Sequence, residues 1–161
     1  MNGLTSEIVG SVLQDWTPPS QNATICDIGG GLGHVLIKFA QHYPDIKGTV
    51  LDLPSVVERT TKFIEENELA PRRRAIAGSF LEPYPPEFSE CDVFYLKQVL
   101  HNWGGELAVT ILKQIAAVAK PGASLLATEF ILAETRAPQE HHMSKLKSLA
   151  DVNMLACFAE G

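Results

Sequence analysis

Residues 25–39 read ICDIGGGLGHVLIKF, and this stretch predicts the fold. Three of its first four residues are apolar, as in a buried strand, and apolar residues recur at helical spacing after position 34. Between the two patterns lie Gly29, Gly30, Gly31 and Gly33. Because glycine inside ordered structure is destabilising by roughly 0.5–1 kcal/mol relative to alanine, the cluster indicates positive φ angles or an approach that a Cβ would block. The stretch therefore predicts a strand-to-helix turn at which a ligand touches the backbone.

Strand and helix patterns alternate along the rest of the chain. The predicted strands span 24–28, 46–52, 73–80, 92–100 and 124–132. The predicted helices begin with 4–16, continue after the glycines and at 54–69 and 106–120, and end with 143–158. Such alternation is typical of α/β proteins with a Rossmann-like, mostly parallel sheet and helices on both faces. Ligands of such sheets bind beyond the carboxyl ends of the strands, where the glycine turn is expected.

The composition excludes several classes of function. The 161 residues carry a formal net charge of −6, whereas nucleic-acid binding requires a basic surface that neutralises phosphates. The single basic run, at 72–74, is interpreted as a solvated strand entry. Cys26, Cys91 and Cys157 lie in apolar settings without CxxC spacing, as expected for small hydrophobes in a reducing compartment. With no apolar run of membrane-spanning length, we expect one cytoplasmic domain that binds neither nucleic acid nor membranes.

Two cofactor classes compete for the glycine turn. A dinucleotide fingerprint is GxGxxG or GxGxxA. Counted from Gly29 and Gly31, its last position falls on His34, which is neither glycine nor alanine, and this argues against a nicotinamide cofactor. The turn instead reads D-x-G-G-G-x-G from Asp27, and Asp52 ends the next predicted strand, where a carboxylate can bind two ribose hydroxyls. The structural alternative is a glycine turn beside a strand-end acid without any ligand.

The pattern from Asp27 to Gly33, together with Asp52, resembles the first two motifs of class I S-adenosylmethionine-dependent methyltransferases. DVFYLKQVLHNWGGELAVTILKQIAAVAKPGASLLATEFIL at 92–132, followed by DVNMLACFAEG at 151–161, is similar to the catalytic domain of the phenol and hydroxyindole O-methyltransferases. This group contains the caffeate and acetylserotonin enzymes, and the resemblance covers nearly the whole chain. It implies S-adenosylmethionine as the cofactor and a small hydroxylated aromatic molecule as the methyl acceptor.

The same resemblance assigns roles to individual residues. His101 matches the family's general base, and Glu129 matches the acid that holds this histidine. The expected cofactor contacts are Gly29, Gly30, Gly31, Asp52, Leu53, Ser79, Phe80 and Lys97. The expected acceptor contacts are Asn102, Trp103, Asn153 and Met154. As alternatives, Trp103 only anchors a helix start and Met154 belongs to the core.

Methyl transfer to a phenol gives these residue types a chemical purpose. The methyl group is already activated on the cofactor, so the protein mainly aligns the reactants, and no metal ion is required. A phenol has a pKa near 10, like tyrosine, and a neutral imidazole that removes its proton contributes roughly 10²–10⁴-fold.

The chain departs from the family pattern in several places. Ser79 stands where an acid is usual, and Asn102 replaces the acid that follows the catalytic histidine. The family's N-terminal helical domain, which dimerises, and its closing C-terminal strands are expected to be absent, so that residues 1–161 form a truncated catalytic domain. A homodimer is then expected only of the complete protein. A cofactor-binding module without turnover and a nicotinamide oxidoreductase stay as alternative functions.

Overall fold

The computed structural model describes residues 2–69 and 72–129. Its strands are β1 (Thr24–Ile28), β2 (Lys47–Asp52), β3 (Arg73–Ala77), β4 (Val93–Lys97) and β5 (Ser124–Thr128). Its α-helices are α1 (Asn2–Asp15), α2 (His34–His42), α3 (Pro54–Glu66) and α4 (Gly105–Val118). Two short 3-10 helices, Pro86–Glu90 and Leu100–Asn102, precede and follow β4.

The five strands form one parallel sheet in the order β3-β2-β1-β4-β5. The register sets Cys26 of β1 beside Thr49 of β2 on one side and Phe94 of β4 on the other. The chain adds β2 and β3 on one side of β1 and then β4 and β5 on the other. The direction of the strand order thus reverses between β1 and β4, which creates a crevice at their carboxyl ends. The glycine turn after β1 and the segment after β4 both open onto this crevice.

Two hydrophobic clusters cover the two faces of the sheet. On one face, α1 and α2 pack against the strands through Val9, Leu13, Val35, Leu36 and Phe39. On the other face, α4 packs Ile111 and Ile115 against Ile28, Leu51 and Leu96. All of these side chains are less than 9% exposed. The predicted α/β fold, with a parallel sheet and helices on both faces, is confirmed.

Several local predictions were wrong. The third strand ends at Ala77 instead of residue 80, and the fourth ends at Lys97 instead of residue 100. The fourth strand stops because Gln98 adopts φ +55°, a left-handed conformation that leaves the β region. Pro86 begins a 3-10 helix that was not expected from the sequence. The predicted helix at 143–158 and strand residues 130–132 lie outside the described residues.

The basic run and the cysteines also differ from expectation. Arg73 is only 8% exposed and is therefore not a solvated residue, whereas its exposed neighbour Arg72 pairs with Asp45. Cys26 and Cys91, expected to be separate small hydrophobes, instead have their side chains in direct contact, with a Cα–Cα separation of 6.1 Å. Within the described residues, no helix is both long enough and apolar enough to cross a membrane.

Candidate active site

The glycine turn lies at the carboxyl end of β1 and has the predicted backbone geometry. Gly29, Gly31 and Gly33 have φ angles of +68°, +56° and +79°, which side-chain-bearing residues rarely adopt. A Cβ on Gly30 would collide with the carboxylate of Asp27. Among the described residues, its two chain neighbours aside, no atom lies within 4 Å of the position that a Cβ on Gly31 would take. Gly30 is therefore required by packing, whereas Gly31 presents bare backbone to open space.

Asp52, at the end of β2, binds the turn directly. Its Oδ2 accepts the N–H of Gly31 at 2.8 Å, and its Oδ1 accepts the N–H of Leu53 at 2.8 Å. A carboxylate offers about four acceptor positions, so each oxygen retains one for a ligand. The Leu53 side chain, 52% exposed, lies directly after this acid at the start of α3. The two residues together present spare acceptors beside an uncovered apolar surface.

Asp27 is a functional candidate that the sequence analysis did not include among the site residues. It is 1% exposed, and within the described residues its Oδ2 has no hydrogen-bond partner. Burial raises the pKa of Asp27 to about 7, an effect that Lys97 opposes and Asp52 reinforces. The signal in the sequence was an acid inside an apolar strand, ICDI. A buried carboxylate under the glycine turn favours a ligand with a positive charge.

A sharp turn follows β4 on the other side of the crevice. Gln98 donates its N–H to the Thr128 carbonyl at 2.9 Å, which ties the turn to the end of β5. The Gln98 side-chain Oε1 accepts from Lys97 Nζ at 3.3 Å. Because a non-glycine residue with positive φ is strained, these contacts hold a conformation that the chain would not adopt alone. The turn redirects the backbone from β4 into the short helix that carries His101.

Glu129 holds His101 and the backbone around it. His101 Nδ1 lies 2.5 Å from Glu129 Oε2, and Oε1 of the same carboxylate accepts the N–H groups of Val99 at 2.9 Å and Leu100 at 2.8 Å. A carboxylate at Nδ1 favours the tautomer that carries its proton there. Nε2 is then free to accept a proton, and the His101 side chain is 26% exposed.

An aromatic pair lines the crevice next to the glycine turn. The rings of Phe80 and Trp103 meet edge to face, with centroids 5.4 Å apart. Phe80 Cε1 lies 3.5 Å from the position of a Cβ on Gly29, so this ring packs against the turn. The Ser79 hydroxyl accepts the Leu81 N–H at 3.2 Å and retains its own proton for a ligand.

Asn102 has a polar group that the described residues leave unused. Its Nδ2 donates to the Gln98 carbonyl at 3.4 Å, whereas its buried Oδ1 has no partner among the described residues. The structure thus places the expected cofactor contacts, together with His101, Glu129, Asn102 and Trp103, at or after the carboxyl ends of the five strands. The predicted acceptor contacts Asn153 and Met154 lie outside the described residues.

The fold is that of an α/β domain with a crevice at the carboxyl ends of its strands, and comparison with known proteins identifies the family. The chain belongs to the O-methyltransferase domain family, which it matches over residues 1–161. The resemblance seen in the sequence is confirmed.

Individual relatives agree with this assignment. The mitomycin biosynthesis 6-O-methyltransferase of Streptomyces lavendulae is 35% identical over 112 residues, which cover 70% of this chain and 31% of that protein. The solved structure of the mitomycin 7-O-methyltransferase MmcR is 30% identical, with a TM-score of 0.79, over 94% of this chain and 42% of that one. Human N-acetylserotonin methyltransferase, solved in complex with SAM, is 28% identical, with a TM-score of 0.68, over 96% of this chain and 45% of that one. The chain spans about a third of the length of the curated relatives that it matches.

Proposed function

We propose that this chain carries the cofactor site and the general base of an S-adenosylmethionine-dependent O-methyltransferase that methylates a hydroxyl of a small aromatic molecule. The observation that carries the proposal is that two separate groups of residues lie at one crevice. The glycine turn held by Asp52 lies on one side, and the His101–Glu129 pair lies on the other. Membership of the O-methyltransferase domain family supports the same reaction class.

The residues of the glycine turn fit this cofactor. Asp52 retains two acceptor positions for the ribose hydroxyls, and exposed Leu53 offers an apolar surface for the adenine. The open space at Gly31 admits the amino-acid part of the cofactor to the backbone. The unpartnered Oδ2 of buried Asp27 lies beside Gly30, where a positively charged ligand group would favour the ionised carboxylate. Phe80 packs beside the turn and would flank the adenine, with Ser79 and Lys97 as further contacts.

The protein's part in the chemistry is alignment and proton removal. When bound, S-adenosylmethionine would supply a methyl group on a positively charged sulfur, activated for in-line displacement. His101 Nε2 would accept the proton of the acceptor hydroxyl, and Glu129 would stabilise the resulting imidazolium through Nδ1. A base in this position contributes roughly 10²–10⁴-fold, whereas alignment of the two reactants contributes more.

The acceptor side of the proposal rests on Trp103 and Asn102. Trp103 packs edge to face against Phe80 and offers an aromatic surface to the acceptor. Asn102 offers its Oδ1, which has no hydrogen-bond partner among the described residues. Asn153 and Met154 remain proposed acceptor contacts. We also propose that residues 1–161 belong to the catalytic domain and that a homodimer is a property of the complete enzyme. A cofactor-binding module without turnover is the second candidate, since Asn102, an amide, stands where the resemblance implies an acid.

The cofactor assignment is tested by titration calorimetry. The chain is expected to bind S-adenosylhomocysteine and not NAD. Asp52→Ala is expected to weaken this binding by about 1–3 kcal/mol because hydrogen bonds to a charged group are lost. Asp45→Ala is the matched control, since this exposed acid pairs with Arg72 and precedes β2, whereas Asp52 ends that strand. Tighter binding of NAD than of S-adenosylhomocysteine would refute the proposal.

A further inference from the structure

Gly31 is held on both sides, at its N–H and at its carbonyl, by side chains of different elements. Asp52 of β2 accepts its N–H at 2.8 Å, and Thr60 of α3 donates its hydroxyl proton to the Gly31 carbonyl at 2.7 Å. Thr60 is 0% exposed, and its hydroxyl oxygen also lies 3.0 Å from the Val56 carbonyl of its own helix. A hydroxyl has a single proton to donate, and the shorter contact is the one to Gly31.

The Thr60 contact matters for the conformation of Gly31, because packing does not fix this residue. Beyond its chain neighbours, no atom of the part of the chain that the structure describes lies within 4 Å of the position of its missing Cβ, and glycine has access to many backbone conformations. The conformation of Gly31, at φ +56°, is therefore set mainly by the hydrogen bonds of its N–H and its carbonyl. Without the Thr60 hydroxyl, the Gly31 carbonyl loses its partner on α3, and among the described residues the Asp52 contact with the Gly31 N–H is the side-chain bond that remains.

Thr60 also lies beside a second glycine of the turn. Its Cγ2 methyl lies 3.7 Å from the position that a Cβ on Gly33 would take, and Val50 lies 3.5 Å from it. A Cβ there would make only ordinary van der Waals contact, so the φ of +79°, and not a lack of space, favours glycine at position 33. The hydroxyl of the same threonine bonds Gly31.

We propose that Thr60 is a positioning residue for the cofactor. By holding the Gly31 carbonyl, it keeps Gly31 in a conformation in which the turn and Asp52 are in binding geometry before the cofactor arrives. Thr60 does not contact the cofactor itself and acts through Gly31. This inference rests on the proposed function. Preorganisation of this kind raises affinity because the binding step then orders fewer groups.

The test compares variants that differ by one hydroxyl. Thr60→Ser retains the hydroxyl. Thr60→Ala removes the hydroxyl and is nearly equal in size to the serine variant. Thr60→Val removes the hydroxyl and is nearly equal in volume to the wild-type threonine. S-adenosylhomocysteine binding is expected to stay within about twofold of the wild-type value for Thr60→Ser and to weaken roughly three- to tenfold for the other two variants. Thr49→Val is the matched control, since Thr49 is also buried, at 4% exposed, but its hydroxyl bonds Arg74 Nε. This control is expected to bind as the wild type does.

The outcomes separate the inference from the proposed function. A wild-type chain that does not bind S-adenosylhomocysteine refutes the proposed function. A wild-type chain that binds it, with Thr60→Ser and Thr60→Ala equally affected, refutes the role of Thr60. If Thr60→Val does not fold, the serine and alanine variants still decide the question. A serine variant that rescues binding supports positioning, because a loss of packing alone would affect both small residues equally.

Discussion

Asp27→Asn is expected to stabilise the ligand-free chain at pH 8. The pKa of Asp27 rises from its ordinary 3.8 to about 7, mainly through burial. At 1.36 kcal/mol per pH unit, this rise corresponds to about 4 kcal/mol of destabilisation when the carboxylate is ionised. An asparagine keeps the shape but buries an amide, and unsatisfied amide groups cost about 1–3 kcal/mol. The expected net gain in the free energy of unfolding at pH 8 is therefore about 1–3 kcal/mol.

The gain depends on pH in a defined direction. Below pH 3.8 the carboxyl is protonated in both the folded and the unfolded chain, so the raised pKa of Asp27 has no effect on stability. Between 3.8 and about 7 the unfolded chain releases the proton while the folded chain keeps it, so the contribution of Asp27 to stability falls as the pH rises. Above about pH 7 both states are ionised and the penalty is constant. The advantage of the asparagine variant should therefore grow up to about pH 7 and then level off.

Urea unfolding of both chains, followed by tryptophan fluorescence at pH 5, 6, 7 and 8, measures this difference. Asp45→Asn serves as the control, because Asp45 is an exposed acid paired with Arg72. An advantage of Asp27→Asn that stays constant from pH 5 to pH 8 would refute the reasoning, since it would mean that Asp27 is ionised in the folded chain over this whole range. An advantage that shrinks would refute it as well, because a raised folded-state pKa requires growth.

Two further predictions concern the segment after β4. In the complete enzyme, His101→Gln is expected to lower turnover by roughly 10²-fold or more and to leave S-adenosylhomocysteine affinity nearly unchanged. Initial-rate kinetics and calorimetry measure the two quantities, and an equal loss of binding would assign His101 a structural role. Gln98→Val is expected to destabilise the chain by about 1–3 kcal/mol, because a β-branched residue is strained at φ +55°. Gln98→Gly is expected to stay within about 1 kcal/mol of the wild type, and equal urea midpoints for both variants would contradict a left-handed Gln98.

Local patterns predicted most of the framework. Alternating strand and helix patterns located β1 correctly from Thr24 to Ile28, and a proline at the first helical position located the start of α3. The strand ends were less accurate. The apolar pattern continues through residues 98–100, but the chain leaves the β conformation at Gln98, which is held by Thr128 of another strand. A contact across 30 residues leaves no local trace in the sequence.

The residues of the candidate site also fall into those that local sequence patterns predicted and those that they did not. The glycines and Asp52 were found from the sequence, because a turn without side chains and an acid at a strand end are visible as local spacing. The pairing of His101 with Glu129 was expected only from the resemblance, and the structure adds the two backbone contacts of the same carboxylate.

The sequence by itself determined the order of the elements, the parallel sheet and the position of the glycine turn, because these follow from periodicity and backbone preference over a few residues. Only the tertiary structure decided the burial and raised pKa of Asp27, the contact of Thr60 with Gly31 and the contact of Cys26 with Cys91. Each of these depends on groups brought together from distant parts of the chain. Desolvation and hydrogen bonding act through space, and the packing of the sheet and its helices sets which groups meet.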